Sequence, residues 1–151
     1  MKHPFFLLPL AVLLIVAGCS GKVPLRGTVT FDDGEPVTHG AVFFQSETLS
    51  AHGVIQSDGT YIVGTDKTTD GIPRGTYQVF LAGTEHVEYR QTRTGVIDSV
   101  TGENIDHRFR DEIRTPIVDP KYANPTTSGL TFNTDGRTKT FDIVVERYSG
   151  R

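Results

Sequence analysis

LRGTVTFDDGEP, residues 25–36, alternates apolar and polar residues and then turns. Leu25, Gly27, Val29 and Phe31 share one face, and Arg26, Thr28 and Thr30 take the other. A period of two is that of a strand with one buried side. Asp33-Gly34 then supplies turn chemistry, an Asp that bonds downstream amides and a Gly that tolerates the required backbone. The same grammar repeats along the chain. AVFFQSE, 41–47, reads as a second strand. HGVIQ, SDG and TYIVG read as a hairpin, with strands 52–56 and 60–64 around Ser57-Asp58-Gly59. GIPRGTYQVFLAG places Pro73 and Gly75 at a turn before a strand over 76–82. SGLTFNTDGRTKTFDIVVERY reads as a further hairpin, strands 129–133 and 139–147 about Asp135-Gly136. No segment sustains a helical period, so the pattern predicts an all-β domain, a sandwich or barrel of short strands.

A chain of 151 residues leaves room for one such domain, predicted over 25–148. Its net charge of -3 gives no basic surface to neutralise phosphates, which argues against a nucleic-acid partner. Sixteen Gly, eight Pro and many Thr and Val favour strands and turns over helices.

MKHPFFLLPLAVLLIVAGC, residues 1–19, has the order of an export signal: a positive start at Lys2, an apolar run from Phe5 to Val16, then small residues. A membrane-spanning helix needs roughly 20 apolar residues, and this run is shorter and interrupted by Pro9. Residues 1–18 are therefore expected to be a cleaved signal. Val16-Ala17-Gly18-Cys19 resembles a bacterial lipobox. The resemblance implies cleavage before Cys19 and acylation of Cys19, whose neighbours Gly18, Ser20 and Gly21 offer little apolar surface for a buried thiol. The membrane is then a partner through acyl chains, each worth about 0.8 kcal/mol per buried CH₂. Ser20 at the next position, with no Asp there, implies the outer membrane. Residues 19–24 read as a lipidated anchor and short linker, about 17 Å from Ser20 to Pro24 at full extension. Cys19 is the only cysteine, so no disulfide supports the fold.

EHVEYRQTRTGVIDSVTGENIDHRFRDEIRT, 85–115, departs from the pattern: it is dense in charge and poor in core residues. It is expected to be a long polar excursion with a small hairpin around Thr101-Gly102-Glu103-Asn104. A connection of this length in a compact domain is either a solvated excursion or functional. Tyr89, His86 and His107 are its candidate binding residues.

The order of motifs resembles the carboxypeptidase-regulatory-like, transthyretin-like domains of small bacterial envelope lipoproteins. VTFDDGEPVTHGAVFF, SDGTYIV, GIPRGTYQVFL and PKYANPTTSGLTF carry the resemblance over roughly residues 23–147. It implies a seven- or eight-stranded Greek-key sandwich without enzymatic activity. In PKYANPTTSGL, Pro120 and Pro125 are expected to keep the segment out of helix and sheet, with Tyr122 plugging the core edge.

Catalytic readings find little to stand on. The transthyretin-like hydrolase of 5-hydroxyisourate needs paired histidines and a C-terminal Tyr-Arg-Gly-Ser. Here LRGTVTF and FDIVVERY hold no histidine, and the chain ends Arg147-Tyr148-Ser149-Gly150-Arg151. No Gly-x-Ser-x-Gly elbow is present. His39, His52, His86 and His107 lack the spacing of metal ligands, so no metal, cofactor or catalytic residue is predicted. Glu85-His86 and Asp106-His107 would have to converge with Glu88 or Asp111 to make a site. The remaining partners are an envelope protein, bound through a strand edge or the excursion, or a glycan stacked on Tyr89 or Tyr148.

Overall fold

The computed structural model describes residues 21–150; side chains at 93, 94, 96 and 104–109 fall outside that description, as do the predicted signal and Cys19. Strands follow in the order β1 (Lys22–Val23), β2 (Arg26–Phe31), β3 (Ala41–Gln45), β4 (Ser50–Val54), β5 (Thr60–Ile62), β6 (Ile72–Pro73), β7 (Gly75–Ala82), β8 (Glu85–Ile97), β9 (Asn104–Pro116), β10 (Leu130–Thr134) and β11 (Ile143–Val145). The fold is all-β. A four-stranded antiparallel sheet runs β10-β7-β3-β4, a three-stranded sheet runs β11-β2-β5, and β1-β6 and β8-β9 form two ribbons.

The period-two reading of 25–31 holds in the structure: Leu25, Val29 and Phe31 are buried and Arg26 is exposed. Both larger sheets contribute to one core. Val29, Tyr61, Ile143 and Val145 come from the three-stranded sheet; Val42, Phe44, Val79, Leu81 and Phe132 come from the four-stranded one. Phe44 lies at its centre, with ring centroids 5.7 Å from Phe132, 6.2 Å from Phe141 and 6.3 Å from Tyr61. Such offset and edge-on packing adds to the burial of large apolar surface.

Two of the predicted hairpins are divided between sheets. The turn at Asp58-Gly59 forms, with Gln56 N donating to Thr60 O at 2.8 Å. Its strands then part: β4 pairs with β3, and β5 pairs with β2. Only His52 and Gly64 still exchange backbone bonds, at 3.1 and 3.0 Å. Both strands carry a buried face, Ala51 and Gly53 on one and Tyr61 on the other, so each serves a different wall of the core. A Cβ on Gly53 would sit 2.6 Å from Ile62 O, which marks how closely the two walls pass.

The second division is at 129–147. The Asp135 carboxylate accepts from Arg137 N at 2.8 Å and closes the predicted turn. β10 nevertheless joins β7, while β11 runs parallel to β2. Arg26 N donates to Lys139 O at 3.1 Å and Phe141 N to Arg26 O at 2.9 Å. Residues 139–145 thus lie against β2.

Two further expectations are corrected. The segment 120–125 does form a helical turn, a short 3-10 stretch over Pro120–Ala123, with Pro120 at a first position where no N–H is needed. Tyr122 is buried on it, as expected. The linker 19–24 is not all spacer, because Lys22 and Val23 pair with Pro73 and Ile72 and Val23 is buried.

Gly27 is the tightest point on β2. A Cβ there would lie 1.9 Å from Phe141 O and 2.9 Å from the Tyr61 hydroxyl. Gly27→Ala is expected to destabilise the domain by about 3 kcal/mol or more, at the upper end of overpacking costs. Thermal unfolding of the purified variant checks this.

Candidate functional site

The polar excursion is a regular antiparallel hairpin. Thirteen residues on each strand pair in unbroken register, from Glu85↔Pro116 to Ile97↔Asn104. At strand rise each arm is about 40 Å long. Neither strand pairs with any strand of the body, and among the described residues no hairpin side chain belongs to the core. Its root is short and well fastened: Ile117 N donates to Thr84 O at 3.0 Å, and His39 Nε2 sits 3.1 Å from Glu85 O.

The tip is ordered by one carboxylate. Asp98 accepts from Val100 N at 2.7 Å and Thr101 N at 3.0 Å, and those amides hold its carboxyl below the usual carboxylate range. Asp98 N donates to Glu103 O, and Gly102 adopts φ 70°, a left-handed conformation suited to glycine. This places the predicted small hairpin turn at 98–103. Ile97 and Val100 stand out at 71% and 90% exposure. Neither side chain is part of the core.

The candidate binding residues lie along the arm without forming one site. Tyr89 is half exposed, and the Arg110 guanidinium covers its ring at 3.8 Å from the centroid, a cation–π contact. His86 Nε2 lies 3.5 Å from a Glu88 carboxylate oxygen. His107 is opposite Thr94 in the register, eight positions along β8 from His86, or about 26 Å. Glu85-His86 and Asp106-His107 therefore do not converge. Among the described residues no three His, Cys, Asp or Glu side chains come close enough to share a metal ion.

Tyr148, the other predicted sugar platform, lies at the root of the arm, where its amide donates to Ile117 O at 3.0 Å, whereas Tyr89 stands opposite Glu112 farther along it. Sequence reasoning missed an aromatic row on the outer face of the four-stranded sheet. Phe80 stacks on Phe43 at 5.1 Å and 14°, and Phe43 on His52 at 5.5 Å and 23°. The register places them side by side on β7, β3 and β4. These rings use their faces on one another, which leaves little flat surface for a sugar.

At the opposite end of β7 the chain emerges from β1. Lys22 Nζ is clamped between the carboxylates of Asp66 and Asp70, 2.6 Å from the latter. Asp70 also accepts from Thr65 N at 2.7 Å. The Lys22 contact and that amide hold the Asp70 carboxyl far below the usual carboxylate range. β6 directly precedes β7 and β8 directly follows it, so eight strand residues separate the β1 end from the root of the arm, about 25 Å. No helix among the described residues is long and apolar enough to cross a membrane.

Comparison with known proteins brings no match: no protein-family model, no curated protein and no solved structure matches the chain.

Because Asp70 titrates lower when folded, its stabilising effect is present above the ordinary Asp value of 3.8 and disappears as pH falls through the folded value. Asp70→Asn is expected to lower Tm by a constant amount between pH 8 and 5, as read by the ordinary carboxylate range, and the gap to the native protein is expected to close in more acidic buffer. Melting curves of both proteins across that range check it.

Proposed function

We propose that this chain is an exported lipoprotein, held on a bacterial membrane through Cys19, whose single domain makes non-catalytic contacts with envelope proteins through the β8-β9 arm. The body is read as a transthyretin-like Greek-key β-sandwich. Two sheets that share one core, with the last strand returning beside β2, are compatible with that reading. The observation that supports the interaction role is the arm itself. Among the described residues it contributes no side chain to the core, yet its strands pair in continuous register, and it presents Ile97 and Val100 exposed at its tip.

The placement of the ends agrees with a tethered module. A chain leaving Gly21 toward Cys19 departs at the β1-β6 end, whereas the arm is rooted at the other end of β7. Loops and projections on a rigid scaffold are where such folds carry recognition.

The experiment is cross-linking in native membranes from single photoreactive positions at Ile97, Val100 and, on the body, Thr131. A discrete protein adduct is expected from the arm positions and none from Thr131. The mass of the N-terminal peptide is read from the same sample, with diacylglyceryl on Cys19 expected. Adducts from Thr131 alone, or an unmodified Cys19, would overturn the two halves of the proposal separately.

A further inference from the structure

EHVEYRQTR, residues 85–93 of β8, is antisymmetric in charge about Tyr89. Glu88 stands one position before it and Glu85 four before; Arg90 stands one position after it and Arg93 four after. We propose that β8 is a homodimer edge, pairing antiparallel with β8 of a second copy about a two-fold axis at Tyr89. This rests on the reading of the arm as the interaction element and names its occupant.

The backbone leaves an edge open to a partner of this kind. β8 pairs with β9 on one side only, so its other side presents thirteen residues of main chain without a strand neighbour. β8 itself contains no proline, and its pairing with β9 is continuous from Glu85 to Ile97. Natural sheets blunt long exposed edges with short strands, prolines, bulges or charged side chains; β8 has none of the first three, and its Glu and Arg residues, which oppose other strands, stand in an order that complements a second β8. The body's strands are three to eight residues in the sheets, and none offers such a length.

The charges select the register. With Tyr89 opposite Tyr89 of the second copy, Glu88 falls opposite Arg90 and Arg90 opposite Glu88. Positions 85 and 93 are paired in the same way. Directly opposed residues on an antiparallel pair point to the same face, so each of these couples is a cross-strand neighbour. Glu88 and His86 are two-thirds exposed, and Tyr89 is 55% exposed, so the surface needed for pairing is accessible. On β9 the comparable arrangement, about Arg110, would set one guanidinium against its own copy, which disfavours that edge.

The same register explains the exposed tip. Nine residues of each β8 overlap, and the remaining residues of each arm run past the root of the other. Ile97 and Val100 of one copy are then carried alongside the body of the second, where an apolar pair has a surface to cover. An isologous contact of this kind closes as a dimer and leaves no further β8 edge to propagate.

The test is the association state of the full-length protein in detergent, measured by sedimentation with charge-reversed variants. The native protein is expected to be a dimer at micromolar concentration. Glu88→Arg and Arg90→Glu each place like charges opposite one another twice, and each is expected to weaken association about tenfold or more. The double variant Glu88→Arg/Arg90→Glu restores opposite charges and is expected to dimerise again. A mixture of the two single variants is expected to form heterodimers in preference to either homodimer. Tyr89→Cys is expected to give a disulfide-linked dimer on oxidation, since an opposed pair brings the two Cα atoms within disulfide range. A native protein that stays monomeric, or single reversals that leave association unchanged, would overturn the proposal. If the arm still cross-links to another envelope protein in that case, the interaction reading stands and only self-pairing falls.

Discussion

The body depends on how closely the segment leading to β11 passes β2 at Gly27. The Phe141 carbonyl occupies the space a side chain at this position would need, and Tyr61 donates its hydroxyl to the same carbonyl. Burial pushes the Tyr61 hydroxyl well above its ordinary titration range, so it remains a donor at any physiological pH. Through this contact β2, β5 and the segment leading to β11 are fixed together. The Phe44, Phe132 and Phe141 rings then close the space between the sheets. Because residue 141 is far from residue 27 in the chain, the core forms only when the C-terminal segment returns, a non-local closure that adds entropy cost but also cooperativity.

The arm obeys different rules. Its strands are rich in charged and polar residues and make their bonds to each other, so their order comes from register and the Asp98 turn. An isolated two-stranded ribbon is marginal in water unless something else supports it. The fastened root at Thr84, Ile117 and His39 supplies part of that support. Pairing with a second copy would turn a two-stranded ribbon into a four-stranded sheet, which removes the weakness at its source. Stability and contact are then the same event in the arm, whereas in the body they are separate.

What was legible in the sequence follows from where side chains meet. Alternation in LRGTVTF and the Asp-Gly pairs located strands and turns because both signals are local. The division of β4 from β5, and of β10 from β11, was not legible, because a turn specifies that the chain reverses but not which sheet receives each strand. The arm escaped the strand pattern for a different reason: with no buried face it shows no apolar alternation, and its charges resemble those of a solvated loop. The aromatic row of Phe80, Phe43 and His52 was also hidden, since its members become neighbours only through the β7-β3-β4 register. Of the candidate binding residues, Tyr89 stands at the centre of the charge pattern of 85–93, while His86 and His107 are spread along the arm.

The central claim is that the body folds on its own contacts and the arm exists for contacts made elsewhere. The most direct measurement replaces residues 86–115 with a short turn and follows thermal unfolding and sedimentation of the remaining protein. The account predicts a cooperative melt close to that of the native chain, with association lost. A shortened protein that fails to fold would place the arm in the body's stability and contradict it.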